Sequence, residues 1–117
     1  MEITIVDYTQ ANLELTDLEI DIIKNIFSAV KNKLNHEPEF QTRVGSYYVE
    51  AQQLVTSLSN NGIVDLAEVT FINNIFNEIC NGIKIDDFDI VVGISKVEAK
   101  SYLRAFNKLM NQMRDDR

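Results

Sequence analysis

The residues best placed to do chemistry are three acids in one short stretch, Asp86, Asp87 and Asp89. Neighbouring carboxylates can divide general-acid and general-base roles if their surroundings hold their pKa values apart. An enzyme using Asp86, Asp87 and Asp89 is therefore one reading of the chain. A solvated surface is the other, and Glu37 and Glu39 beside Phe40 repeat the acidic character near the same aromatic. Asp87, Asp89 and Glu98 also reproduce part of the spacing of an EF-hand loop. Val91 and Val92, however, occupy the positions where that loop needs a ligand and a glycine, so no calcium site is expected.

Other constellations are missing. His36 is the single histidine and Cys80 the single cysteine, so nucleophile–base pairs and zinc sets have too few members. Cys80 follows Ile79 in an apolar segment and reads as a buried structural thiol. No Gly-rich phosphate loop occurs. No catalytic, cofactor-binding or metal residue is therefore expected.

Lys96, Lys100, Arg104 and Lys108 recur every four residues and form one basic stripe on a helix. The stripe reads as a solvated face, or as a surface meeting an acidic partner or the chain's own acidic beginning. Residues 1–23 hold six acids and no Lys or Arg, whereas residues 96–117 hold six basic residues and three acids. The net charge of −7 makes nucleic acid an unfavourable partner. Asn73, Asn74, Asn77 and Asn81 form an uncharged polar face. Twelve asparagines and fourteen isoleucines suggest that coding bias accounts for it without a binding role.

These residues must be positioned by an ordinary globular chain. Its 117 residues, 45% of them hydrophobic, suit one domain spanning 1–117 with one core. No apolar run is long enough to span a bilayer, and the first ten residues lack the charge pattern of a targeting segment. A cytoplasmic protein without membrane contact is the expectation.

The elements repeat. Arg43–Ala51 and Val91–Ala99 share V-G-x-x-x-V-E-A. Upstream, Thr16-Asp-Leu-Glu19 and Asp65-Leu-Ala-Glu68 are both capping boxes. Six identities lie 49 positions apart: Glu19/Glu68, Ile23/Ile72, Asn25/Asn74, Ile26/Ile75, Phe27/Phe76 and Asn32/Asn81. Six more lie 48 apart: Phe40/Phe88, Val44/Val92, Gly45/Gly93, Val49/Val97, Glu50/Glu98 and Ala51/Ala99. One deleted loop residue reconciles the two offsets.

The reading is a mainly α fold with short β segments, an α+β class. It is built as a tandem duplication of a helix–strand–helix unit, with repeats 16–59 and 65–113 packed in pseudo-two-fold symmetry. First helices are predicted over 17–34 and 66–81, the second closed by a left-handed cap at Asn81-Gly82. Their apolar stripes include Leu18, Ile22, Ile26 and Phe27, and Val69, Ile72, Ile75 and Phe76. Phe40, Thr42 and Val44 alternate, as do Phe88, Ile90 and Val92, so short strands are predicted at 39–45 and 87–93, paired antiparallel near the axis. For 87–93 a short helix capped by Asp86 is the alternative. Second helices are predicted over 47–59 and 96–113, the last burying Val97, Ala99, Tyr102, Phe106 and Leu109. The leading "EITIVDY" reads as one more short strand.

In size, acidity and lack of a catalytic set, the chain resembles small bacterial immunity and antitoxin proteins as a class. That bulk resemblance transfers no site residue. It implies a non-enzymatic protein-binding module, an inhibitor that meets a basic partner through Asp86, Asp87 and Asp89, then Asp17 and Asp21. A self-associating module, forming a homodimer, is the alternative.

Overall fold

The protein folds around a small sheet that seeds two runs of helices. The computed structural model describes residues 1–115. Strands β1 (Glu2–Ile5) and β2 (Gln10–Glu14) precede helices α1 (Asp17–Lys33), α2 (Glu37–Val44) and α3 (Tyr48–Ser57). Strand β3 (Asn61–Asp65) then leads into α4 (Leu66–Asn77), which runs on as a π-helical turn (Glu78–Gly82). Helices α5 (Phe88–Val92) and α6 (Lys96–Asp115) follow. The architecture is mainly helical with one three-stranded antiparallel sheet in the order β1-β2-β3.

The sheet forms from residues that alternate in burial. Ala11, Leu13 and Leu15 are buried between exposed Gln10, Glu14 and Thr16, the period of two that a one-sided strand requires. The β1–β2 turn is closed by Asp7, whose carboxylate accepts from Thr9 N (2.7 Å) and Gln10 N (3.0 Å). In the β2–β3 pair Leu13 stands opposite Gly62, a residue 49 positions away. The expected strand at the start of the chain is present as β1.

Both first helices begin as their capping boxes dictate. Glu19 N donates to Thr16 Oγ1 (3.1 Å), and Thr16 N donates back to Glu19 Oε1 (2.9 Å). Glu68 N donates to Asp65 Oδ1 (2.8 Å), and Asp65 N to Glu68 Oε1 (3.2 Å). Such caps satisfy backbone donors that helix geometry leaves unpaired.

The strands expected at 39–45 and 87–93 are helices instead, α2 and α5. The physical reason lies in the shared spacing. Positions 40 and 44, or 88 and 92, lie on one face under a period of two and equally under a helical i, i+4 relation. The residue between them decides. Thr42 is exposed and Ile90 is 83% exposed, while Phe40, Val44 and Val92 are buried. Pro38, in the first turn of α2, is also preorganised for a helix start. The segments that do pair antiparallel are β2 and β3. A run of three α-helices follows each: α1, α2 and α3 after β2, and α4, α5 and α6 after β3.

Glycine ends both short helices. Gly45 and Gly93 have φ of 92° and 98°, and their N–H groups return to Gln41 O (2.8 Å) and Asp89 O (2.9 Å). A side chain there would be strained. Beside them sit two matching bonds: Asn25 Nδ2 donates to Val92 O (3.1 Å), and Asn74 Nδ2 donates to Val44 O (3.0 Å). Each satisfies a carbonyl at the end of a short helix from the other half of the chain.

Three further expectations need correction. Leu18 is 61% exposed and Val97 74% exposed: in the first turn of α1 the buried position is Glu19 and Leu18 is left outside, and Val97 lies on the opposite side of α6 from buried Ala99 and Phe106. The left-handed cap at Asn81-Gly82 does not form, since α4 unwinds into the π turn and Ile83 N closes it on Glu78 O (2.8 Å). Gly82 is needed for space: a Cβ there would collide with the Glu78 carboxylate and press on Arg43.

One contiguous core runs from Ala11 to Met113. Phe27 meets Phe40 and Phe71 edge-on (6.3 and 6.2 Å), and Phe76 stacks on Phe106 (5.5 Å). No described helix is long and apolar enough to cross a membrane.

Candidate functional site

The acids Asp86, Asp87 and Asp89 stand on the exposed entry to α5. Asp87 adopts φ 52°, a left-handed conformation that Asp tolerates better than most residues. Its carbonyl accepts from Ile90 N and Val91 N (both 3.0 Å) and starts the short helix. The three carboxylates make no hydrogen bond or ion pair to another described side chain, and they line none of the main surface grooves. Glu98, the EF-hand-like end position, is taken up by its bond to Ser95 Oγ (3.2 Å). Among the described residues, no three His, Cys, Asp or Glu side chains converge on a metal position.

What sequence reading missed is the apolar company these acids keep. Ile90 is 83% and Val91 41% exposed on the same short helix. Helix α5 packs on α1 through Asn25 and Val92. Asp21 lies one turn before Asn25 on α1, and exposed Leu18 lies a further turn back. Helix α5 and its entry thus present Asp86, Asp87 and Asp89 beside exposed aliphatic side chains, with exposed Asp21 on the helix it packs against. Asp17 is drawn elsewhere, accepting from Asn60 Nδ2 (2.8 Å), which also donates to Leu15 O (2.9 Å). It serves the join between α3 and β3.

The basic residues occupy another surface. Lys96, Lys100, Arg104 and Lys108 are all exposed on α6. Arg104 donates to Ser101 Oγ (3.1 Å). None of the four pairs with an acid among the described residues, so the stripe does not close onto the acidic first third of the chain. Lys96 and Lys100 stand near the π turn, where Cys80 is buried. Burial pushes its thiol above the ordinary range, and the two ammonium groups only partly oppose this. Arg104 and Lys108 instead line a groove of about 730 Å³ between α4 and α6.

Two polar clusters, each centred on a buried glutamate, hold the elements that carry these surfaces. Arg43 of α2 pairs with Glu78 in the π turn, Nε donating at 3.1 Å and Nη2 closing the second bond, while Nη1 reaches Glu39 (3.3 Å). The bidentate grip holds the arginine firmly charged, its pKa raised chiefly by the Glu78 hydrogen bonds. The second cluster centres on buried Glu19. Its Oε2 accepts from Tyr102 OH (2.7 Å) and lies 3.0 Å from the Met1 ammonium. Burial opposes its ionisation, but donors from Thr16, Tyr102 and Met1 outweigh burial and lower the pKa. Burial and the Glu19 carboxylate push Tyr102 up to about 12.

Protein-family models, curated proteins and solved structures were compared with the chain, and none matches.

Proposed function

We propose that the protein is a non-enzymatic binding module that engages a basic protein through the acidic face of α5 and the adjoining start of α1. The observation that carries this reading is the exposure of Ile90 and Val91 among Asp86, Asp87 and Asp89. A desolvated apolar centre with a charged rim is the usual anatomy of a protein interface, and acidic charge around it would steer and select a basic partner. An immunity- or antitoxin-type inhibitor would use such a surface to cover its target.

We also read the chain as a duplicated unit packed with pseudo-two-fold symmetry. Three features support that reading. Leu13 and Gly62, 49 positions apart, are partners in the β2–β3 register, one pair from its centre. The positive-φ glycines are 48 apart. Asn25 and Asn74, 49 apart, make reciprocal bonds to Val92 and Val44, 48 apart. Duplication would supply two equivalent faces, of which the second became the binding surface.

The test is capture of partners with the full chain as bait, followed by titration of the captured partner over about 0.05–0.5 M salt. Binding should weaken steeply with salt and be lost in Asp86→Asn/Asp87→Asn/Asp89→Asn and in Ile90→Ser. An acidic partner, or an affinity flat across that range, would sink the proposal.

A further inference from the structure

The groove between α4 and α6 has features that the α5 surface does not share. Asn73 of α4 lines it and is only 6% exposed, and its Oδ1 has no hydrogen-bond partner. A buried amide oxygen left without a donor loses the hydrogen bond that water would have given it. A small rotation of this amide would present the oxygen to the groove it already lines. Around it stand Asn77, Asn107 and Asn111, with Arg104 and Lys108. Asn111 Nδ2 donates to Asn107 Oδ1 (3.2 Å), so the amides form a ladder along the helix.

The spacing of this ladder has a chemical counterpart. Asn73 and Asn77, like Asn107 and Asn111, are four residues apart, or about 6 Å along a helix. An extended peptide repeats its outward N–H and C=O groups every two residues, about 6.6–6.8 Å. A carboxamide offers a donor and an acceptor together, the complement of one peptide unit. The two cations lack carboxylate partners among the described residues, so the strand they favour is acidic. Nucleic acid fits less well: no aromatic side chain lines the groove for base stacking, and the net charge is −7. Coding bias would explain many asparagines but not their convergence from two helices. In the α1–α3 groove, Lys24 and Ser28 stand 49 positions before Asn73 and Asn77, and the one side-chain bond among its lining residues joins Gln52 Nε2 to Thr56 Oγ1 (3.1 Å), so paired asparagines do not face each other there.

We propose that the α4–α6 groove binds an extended acidic peptide segment, with Asn73, Asn77, Asn107 and Asn111 holding its backbone and Arg104 and Lys108 its carboxylates. Recognition of the backbone makes the site tolerant of sequence, so a generic probe suffices. A fluorescein-labelled peptide of alternating Glu and Thr, about 12 residues long, is titrated with the full chain and followed by anisotropy. Saturable binding is expected. Asn77→Ala/Asn107→Ala, both exposed positions, should weaken it about tenfold with an unchanged circular dichroism spectrum. Arg104→Gln/Lys108→Gln should weaken it and flatten its salt dependence. Methylating alternate backbone nitrogens of the peptide should also cost about tenfold. Binding should survive Asp86→Asn/Asp87→Asn/Asp89→Asn, which separates this site from the α5 surface. The proposal falls if the peptide does not saturate, if the N-methylated peptide binds equally, or if a thymidine oligonucleotide of equal length binds more tightly.

Discussion

The joints at Val44–Gly45 and Val92–Gly93 use the same bonds but have different surroundings. At each, an asparagine on a long helix donates to the last carbonyl of a short one, and a left-handed glycine follows. Beside the first joint, Arg43 turns inward and grips Glu78, which closes the surface of α2 against the π turn. Beside the second, the position 48 residues on is Val91, and the position 49 before Glu78 is Ala29, which is buried. No ion pair can form there, and Ile90 and Val91 are left in solvent among the acids. The repeated residues build the joint, and the unmatched ones decide whether its outer face is sealed or open to a partner.

The largest expected effect comes from the aromatic ahead of each joint. Phe40 is fully buried and contacts Phe27 and Tyr48, whereas Phe88 is only partly buried. Phe40→Ala should cost about 3–5 kcal/mol in denaturant unfolding, and Phe88→Ala less than half as much. Equal losses would break the contrast between a sealed and an open side.

The joints themselves should behave alike. Asn25→Ala and Asn74→Ala each leave a helix-end carbonyl without its donor, at about 1–3 kcal/mol apiece. The two losses should agree within about 0.5 kcal/mol and add in the double variant. A much larger loss at Asn74 would mean that the Arg43–Glu78 pair depends on that bond.

The two capping glutamates should titrate in opposite directions. Glu19 has a lowered pKa, as described above. Glu68 has a raised one, from burial first and then from the Asp65 carboxylate, against the backbone bond from Asp65 N. A lowered carboxyl pKa gives stability that is present above the unfolded pKa and lost as pH falls through the folded one. A raised one works the other way: ionised Glu68 costs stability that returns as pH falls. NMR titration should place Glu19 below and Glu68 above the ordinary carboxyl value. Asp65→Thr should bring Glu68 down. At the alkaline end, Tyr102 holds its proton in the fold up to about 12. It therefore favours the fold below its unfolded pKa of about 10, a contribution lost as pH rises toward 12. Tyr102→Phe should reduce that loss without abolishing it, since burial and Glu37 also raise Tyr48.

The smallest effect on stability belongs to the open face. Ile90→Ser removes a side chain 83% exposed, and the unfolding free energy should change by no more than about 0.5 kcal/mol. A clear loss would place Ile90 in the fold and remove it from the interface.

Much of this architecture was legible from residue types alone. The capping boxes at Thr16–Glu19 and Asp65–Glu68 and the buried stripes of α1 and α4 form as their spacing implies, because a helix start and an amphipathic face are local properties. Phe40-x-Thr42-x-Val44 has a spacing that serves two periods and so does not by itself choose helix over strand. The partner it packs against, and so the period that wins, lies elsewhere in the chain. The candidate site divides similarly. Exposure of Asp86, Asp87 and Asp89 could be expected from charge, but the apolar side chains among them could not, because Ile90 reads as a core residue in any local window.

By itself, then, the sequence determined where α1 and α4 begin, most of the faces that the long helices bury, that two stretches repeat the same residues, and where the charges of each sign concentrate. These follow from local hydrogen bonding and from the cost of leaving apolar periodicity in water. Only the tertiary structure decided that β2 and β3 pair, that Asn25 and Asn74 cross to the opposite joints, that Arg43 finds Glu78, and that four asparagines of α4 and α6 share a groove. Those outcomes depend on contacts between residues as many as 67 positions apart, and no local window contains both partners.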